Sequence, residues 1–404
     1  MKQDWSLENI SNVSTLVNGG TPKTNIKEYW NGDIAWITPA DLGKLKTTIV
    51  TKTIRTISEE GLNKSSAKLF PKNSVILSTR APIGYLAING VLMATNQGCR
   101  GIIPSENLDT FYLYYFLKSN VTLLNSLGTG TTFKELSTKA LGSVKIPIPH
   151  IEQQKQIVII LDKSFEAIEK AKTNIEKNLQ NTKELFASKL NEIFSQKGEG
   201  WEEKTLGEIT SKIGSGATPR GGQSSYKESG ISLIRSMNVH DNGFKKDKLA
   251  FIDDEQAKKL NNVTIEENDI LLNITGASVA RCCIVDKSFL PARVNQHVSI
   301  IRIKDDILLS EYLHYSLISD NNKKALLGIG EQGATRQAIT KVQIENFVVR
   351  YPKYRKVQLE KLNELNNLKQ QTKQLEQKYQ EKLNNLEELK KSILQKAFSG
   401  ELLK

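Results

Sequence analysis

The sequence predicts α/β (α+β) globular domains, two of them in a pseudo-two-fold tandem repeat, joined by two long antiparallel coiled-coil helices. Three observations predict this. Between Gln153 and Ser195, Leu161, Phe165, Ile168, Ile175, Leu179, Phe186 and Ile193 recur at steps of four and three, with Lys172, Thr182 and Lys189 filling the gaps, which makes a heptad seam. Adding 200 to the numbering recovers the pattern at Leu365, Leu368, Leu375, Tyr379, Leu386, Leu389 and Ile393, completed by polar Lys361, Thr372, Lys382 and Lys396. The stretches ahead of the two seams can also be laid over one another. A helix of about 43 residues is about 65 Å long and needs a partner along its length. The chain itself offers one, the second copy. Two separate helices packed on separate domains is the plainer alternative.

Composition narrows the function. At 404 residues there is room for two or three domains, each with its own core. A net charge of +12 implies an acidic partner, nucleic acid or an anionic membrane surface. No apolar run reaches membrane-spanning length, and Met1 to Asn9 lacks a signal-peptide core, so a cytoplasmic protein without a membrane partner is expected. Cys99, Cys282 and Cys283 suit a reducing compartment. His150, His240, His297 and His314 have no metal-ligand spacing, so no metal site is expected.

The elements follow in order. Residues 1–150 read as a unit of short strands: Val17 runs into the Gly19-Gly20-Thr21-Pro22 turn, Ile34 to Ile37 is a strand, and Ser74 to Ser78 is another, leading into Thr79-Arg80-Ala81-Pro82-Ile83-Gly84. Leu108 to Lys118, with Phe111, Tyr112, Tyr114, Tyr115 and Phe116, reads as a buried helix rather than a base-stacking platform. A small-residue loop, Gly128 to Lys134, precedes Val144 to Pro149, which its prolines hold extended. The first long helix fills 151–199, ended by Gly198 and Gly200. Trp201 then restarts what Trp5 began: 200–352 is the second globular unit and 353–404 the second long helix. Gly216-Ala217-Thr218-Pro219 answers Gly19 to Pro22, Ile231 to Ile234 answers Ile34 to Ile37, Asn295-Gln296 answers Asn96-Gln97, and Pro352 answers Pro149. Asp253 with Gln256 forms a capping box that Ser58 with Gly61 cannot, which predicts a weaker helix in the first unit.

A duplicated molecule with antiparallel stalks would invert one globular unit relative to the other, as the halves of a DNA-binding dimer are inverted on a duplex. The stalk would then act as a ruler of one to two DNA turns, at about 34–36 Å per turn. Residues identical in both units cannot distinguish two half-sites, so Asn96-Gln97 and Asn295-Gln296 read as local backbone anchors before adenine readers. Specificity belongs where matching positions differ. The candidate DNA-binding residues are Lys23 near Arg220, Thr38 opposite Arg235, Asp41 opposite Asn238, and Arg80 and Arg281 in the loops after matching strands. They also include Thr131 and Thr132, with Thr335 answering Thr132, and Lys134 in Phe133-Lys134, opposite Arg336-Gln337.

No catalytic residues are found. Gly328-Ile329-Gly330-Glu331-Gln332-Gly333 spells the dinucleotide fingerprint but follows a predicted helix where the fingerprint needs a strand. There is no phosphate-binding loop, no Pro-Pro-Tyr/Phe methylation motif and no nuclease carboxylate cluster.

Taken together, Gly19 to Pro22, Ile34 to Ile37 with Asp41, Ser78 to Gly84, Thr95-Asn96-Gln97-Gly98, Gly130 to Lys134, Ile146 to Pro149 followed by Glu152-Gln153-Gln154, and Leu394 to Leu402 resemble the specificity subunits of type I restriction-modification systems, over essentially the whole chain. The resemblance implies two target recognition domains, 1–150 and 200–352. Each reads half of a bipartite, asymmetric site in double-stranded DNA, with the helices as spacer. It implies two methylation subunits and restriction subunits as partners, which would carry S-adenosylmethionine, ATP and Mg; no cofactor is expected on this chain. Tyr351-Pro352-Lys353-Tyr354 lacks the Glu-Gln-Gln that follows Pro149, a departure at the second docking position. A coiled-coil scaffold without sequence-specific DNA binding is the alternative, and a methyltransferase is disfavoured by the missing motifs.

Overall fold

A computed structural model of the chain describes residues 5–130, 134–304, 307–331 and 337–403. The chain forms two compact units, Met1–Ile175 with Gln380–Lys404, and Glu176–Tyr379.

In the first unit the strands Ser14–Asn18, Cys99–Pro104, Val75–Thr79, Ile83–Asn89 and Ile49–Val50 make a five-stranded sheet in that order. Val75–Thr79 sits at its centre and is buried along its whole length, which is why its apolar run does not alternate. Arg55–Ile57, Trp30–Ile37 and Met93–Thr95 form a second sheet. Ser6–Asn9 pairs antiparallel with Lys145–Ile148, tying the start of the unit to the segment ahead of the first long helix. The helix Thr110–Ser119 is capped by Asp109, whose carboxylate accepts from Tyr112 N at 2.9 Å, and its aromatics are core residues.

The second unit repeats the plan. Thr210–Ser215, Val298–Ile303, Ile270–Asn273 and Cys282–Ile284 form one sheet, and Ala250–Ile252, Ile231–Ile234 and Ala292–Val294 another. Trp201–Thr205 pairs with Val348–Pro352. Asp253 and Gln256 close both halves of a capping box, whereas Ser58 only accepts from Gly61 N. Gly328 and Gly330 lie inside the helix Asp320–Glu331, so the fingerprint lacks its strand and turn.

The long helices run over Ile151–Phe194 and Arg355–Ser399. In the first unit Leu161, Phe165 and Ile168 share a core with Leu386, Ile393, Leu394, Ala397 and Phe398. There Lys390 pairs with Glu169 at 3.0 Å and Lys172 with Glu387 at 3.6 Å, so one helix is read upward as the other is read downward. The two helices are antiparallel. In the second unit Phe186, Leu190 and Ile193 pack with Leu362 and Leu365, and Lys189 pairs with Glu364 at 2.7 Å.

The helix repeat needs a correction. Structural counterparts lie 204 residues apart, not 200. Tyr115 hydroxyl donates to Asp162 and Tyr315 hydroxyl to Asn366; Phe194 packs on Tyr312 as Phe398 packs on Tyr112. In this register Leu179 corresponds to Leu383 and Phe186 to Lys390. Leu161, Phe165, Ile168, Ile193 and Leu365 are buried; Ile175, Leu179, Phe186, Leu368, Tyr379, Leu386 and Ile393 are half-buried. Leu375 and Leu389, 39% and 47% exposed, fall off the seam. A shift of four residues rotates a helix by only about 40°, so a coarse apolar pattern fits both registers.

Among the described residues no helix is long and apolar enough to cross a membrane. One buried group sets a pH limit. His314, at the position of Tyr114, is held neutral by burial, which lowers its pKa to about 4. Its depressed folded value means that the stabilisation is complete above the unfolded pKa of about 6.5 and is lost as pH falls towards 4. Between pH 6.5 and 4 the second unit should therefore lose on the order of 1 kcal/mol per pH unit. Replacing His314→Tyr should flatten that slope in acid-unfolding curves, and an unchanged slope would refute the assignment.

Candidate nucleic-acid interface

In the first unit four segments meet at the ends of the central strands. The Gly19-Gly20 turn lies so close to Asn96 that a Cβ on Gly19 would stand 1.8 Å from the Asn96 carbonyl oxygen. Only glycine fits. Gly20 N donates to Thr95 O at 2.8 Å, and the exposed Thr21 hydroxyl donates to Gln97 Oε1. Asn96 Oδ1 accepts from Gly98 N at 3.0 Å, and Thr79 N donates to Gly98 O at 2.8 Å. Thr129 and Glu135 exchange reciprocal backbone bonds, and Leu136 N donates to Thr79 O at 2.8 Å.

Charge is organised around Glu135. Arg80 and Arg100 each place a guanidinium nitrogen 3.7 Å from its carboxylate. Arg100 is buried, and its Nη1 donates to Gln97 O at 3.1 Å. Burial lowers its pKa, against the smaller raising effect of Glu135. Arg55 lies over Trp36, 4.6 Å from the ring centroid.

The second unit builds the same frame with other side chains. A Cβ on Gly216 would stand 1.7 Å from Val294 O, and Gly216 N donates to Asn295 O at 3.1 Å. Thr218 hydroxyl donates to Gln296 Oε1, and Asn295 Oδ1 accepts from His297 N at 3.1 Å. Ile274 N donates to His297 O at 3.0 Å, and Ile339 N to Ile274 O at 2.8 Å. His297 thus stands where the first unit has Gly98, and Thr275 where it has Arg80. Arg281 precedes the strand Cys282–Ile284 and is the counterpart of Tyr85, not of Arg80.

The candidate residues divide. Lys23, Lys134, Arg220 and Gln337 are exposed, and Arg80 and Arg281 are half-buried. Thr131, Thr132, Thr335 and Arg336 lie outside the described residues. Thr38, Asp41 and Asn238 hold the backbone of their own loops. Thr38 and Asp41 close a capping box, with Thr38 N and hydroxyl both donating to Asp41 Oδ2, at 3.0 and 2.7 Å. Asn238 is fully buried; Oδ1 accepts from Arg235 N at 3.1 Å, and Nδ2 donates to Lys245 O and Asp247 O at 2.9 and 3.1 Å. Its amide has no atom left for a base. Arg235 lies over Tyr226, 5.3 Å from the ring centroid, and donates to Lys248 O. Its Nε is buried without a partner among the described residues. Asn96 and Asn295 are backbone anchors, while Gln97 and Gln296 are exposed.

Sequence reasoning missed Arg55, Arg100, Glu135 and His297. Aligning Thr95-Asn96-Gln97-Gly98 with Val294-Asn295-Gln296-His297 shows the fourth as a non-conservative difference. Of Glu152-Gln153-Gln154 only the last has a counterpart in the second unit, where Lys356-Val357-Gln358 stands. Gln154 Oε1 accepts from Asp109 N at 2.8 Å while its Nε2 donates to Asn107 O and Pro149 O, both at 2.9 Å. Gln358 does the same with Leu309 N, Ile307 O and Pro352 O at 3.1, 3.3 and 2.8 Å. The glutamine is present in both units, one residue further from the proline in the second. Among the described residues no group of His, Cys, Asp and Glu could hold a metal ion.

The family model for the type I restriction modification DNA specificity domain matches twice, over residues 2–177 and 198–385. The type I restriction enzyme MjaIX specificity subunit of Methanocaldococcus jannaschii is 31% identical, over 87% of this chain and 83% of its own length. The EcoKI specificity subunit of Escherichia coli is 21% identical across 100% of this chain and 90% of its own. Among solved structures, a chain from work on the assembly and conformational transition of the type I R-M system aligns with a TM-score of 0.77 at 19% identity, covering 100% of this chain and 99% of that one. The HsdS subunit from Thermoanaerobacter tengcongensis aligns at 0.65 and 18%, covering 100% and 98%.

Proposed function

The chain belongs to the type I restriction modification DNA specificity family, and from that premise we propose how its two recognition domains divide their work. It is the non-catalytic DNA-recognition subunit of such a system, and nothing in its relatives favours a scaffold without DNA binding. Each globular unit reads one half of a bipartite, asymmetric site. The paired helices set the number of unread base pairs and dock two methylation subunits, and restriction subunits complete the complex in the cytoplasm. S-adenosylmethionine, ATP and Mg belong to those partners. The observation that carries the reading is the duplicated loop frame, in which Thr21–Gln97 and Thr218–Gln296 recur while Arg80 and Gly98 give way to Thr275 and His297. A common frame presents matching loops of both units to the duplex, and the differing side chains around it give each half its own sequence.

Genome-wide mapping of modified adenines with and without this gene tests it. Loss of one two-part motif is expected, and an unchanged map would remove the reading. In the same assay Arg235→Ala should relax only one half of that motif; equal relaxation of both halves would make Arg235 a phosphate contact.

A further inference from the structure

We propose that His297 is a specificity-determining positioning residue of the second recognition domain: it locks Gln296 and Thr275 into one hydrogen-bonding direction, so that they present donors to the acceptor atoms of a base edge. This rests on the DNA-reading function above and takes it to individual atoms.

The four side chains form a directed relay. Thr218 hydroxyl donates to Gln296 Oε1, which leaves the amide nitrogen facing His297 Nε2 at 3.1 Å. An amide nitrogen can only donate, so Nε2 is the lone-pair nitrogen and Nδ1 carries the proton. Nδ1 therefore donates to Thr275 Oγ1, at 2.6 Å. Two hydrogens remain without a partner among the described residues, the second amide hydrogen of Gln296 and the hydroxyl hydrogen of Thr275. Gln296 is exposed and Thr275 half-buried, so both can meet a ligand. The backbone beneath is held from both sides, because His297 N donates to Asn295 Oδ1 and His297 O accepts from Ile274 N.

The first unit cannot build this relay. A Cβ on Gly98 would stand 2.9 Å from Pro39 Cγ, and the position of Thr275 holds Arg80, which is paired with Glu135. At the position of Pro39 the second unit has the smaller Ser236. One domain thus offers a cation at this place and the other two neutral donors. Two donors fit the N7 and O6 acceptors of guanine in the major groove, whereas adenine offers one acceptor and one donor there.

The test uses the full chain assembled with its methylation subunits and a DNA library randomised in both half-sites. His297→Gly and Thr275→Val should relax the preference at one or two adjacent base pairs of one half, with discrimination falling about 10- to 100-fold. Thr275→Ser keeps the hydroxyl and should keep the preference, and the other half should be unchanged throughout. If His297→Gly retains every preference, or weakens all sequences alike, His297 is structural and the proposal is overturned. Should His297→Gly fail to fold, Thr275→Val against Thr275→Ser decides, and equal preferences for these two overturn it as well. A wild-type complex that selects no two-part site would instead defeat the functional reading on which the proposal rests.

Discussion

Removing residues 387–404 is expected to unfold the first unit and leave the second folded. Leu394, Ala397 and Phe398 belong to the core built on the helix Thr110–Ser119, where Phe398 stacks edge-on to Tyr112 and Phe116 at 5.1 and 5.4 Å. Losing one large core side chain costs about 2–5 kcal/mol, and losing Ile393, Leu394 and Phe398 together approaches the roughly 5–15 kcal/mol that holds a typical domain. The second unit has its own copy of this contact, made by Phe194 on Tyr312 at 5.0 Å. The single substitutions should therefore act crosswise. Phe398→Ala, at the end of the second long helix, should loosen the first unit, and Phe194→Ala, at the end of the first, should loosen the second. Hydrogen exchange of the helices Thr110–Ser119 and Ser310–Ile318 separates the two outcomes. Loss of protection in the unit that precedes the mutated helix in sequence would contradict this packing.

That crossing explains how much could be read from the sequence. The duplication, the paired helices and the short strands announce themselves through period and order, since Gly19 and Gly216 must be glycine wherever this turn crosses a neighbouring carbonyl. The register was not legible. Leu375 and Leu389 satisfy a heptad template yet lie on the solvent side, because a one-turn shift hardly changes the apolar pattern while it changes which face meets the core. The candidate site was legible at the level of loops. Within loops it was not, because a polar side chain can serve the backbone or a ligand and composition does not say which. Thr38, Asp41 and Asn238 serve the backbone. His297 was passed over for the opposite reason: without metal-ligand spacing a histidine looks idle, and only the geometry joins it to Gln296 and Thr275.

The second large effect belongs to the glutamine that fastens each recognition domain to its long helix. Gln154 is fully buried, and its one amide holds Asp109 N, Asn107 O and Pro149 O together at the point where chain, aromatic helix and long helix meet. Gln154→Met keeps the volume but takes the bond from the half-buried Asp109 N, the buried Pro149 O and the carbonyl of the exposed Asn107. At about 1–3 kcal/mol for each buried group stranded, with Asn107 O free to turn to water, the cost should reach about 2–4 kcal/mol. For a unit of this size that lowers the melting temperature by about 4–16 °C. Gln358→Met strands Leu309 N, Ile307 O and Pro352 O and should do the same to the second unit alone. Function should follow stability in a directed way. A recognition domain hinged loosely to its helix must be ordered when it binds, so each variant should weaken discrimination in its own half-site while sparing the other. Unit-resolved melting and half-site selection should therefore change together. If Gln154→Met shifts both units equally, or moves the first by less than about 1 kcal/mol, the joint depends on packing rather than on these three bonds.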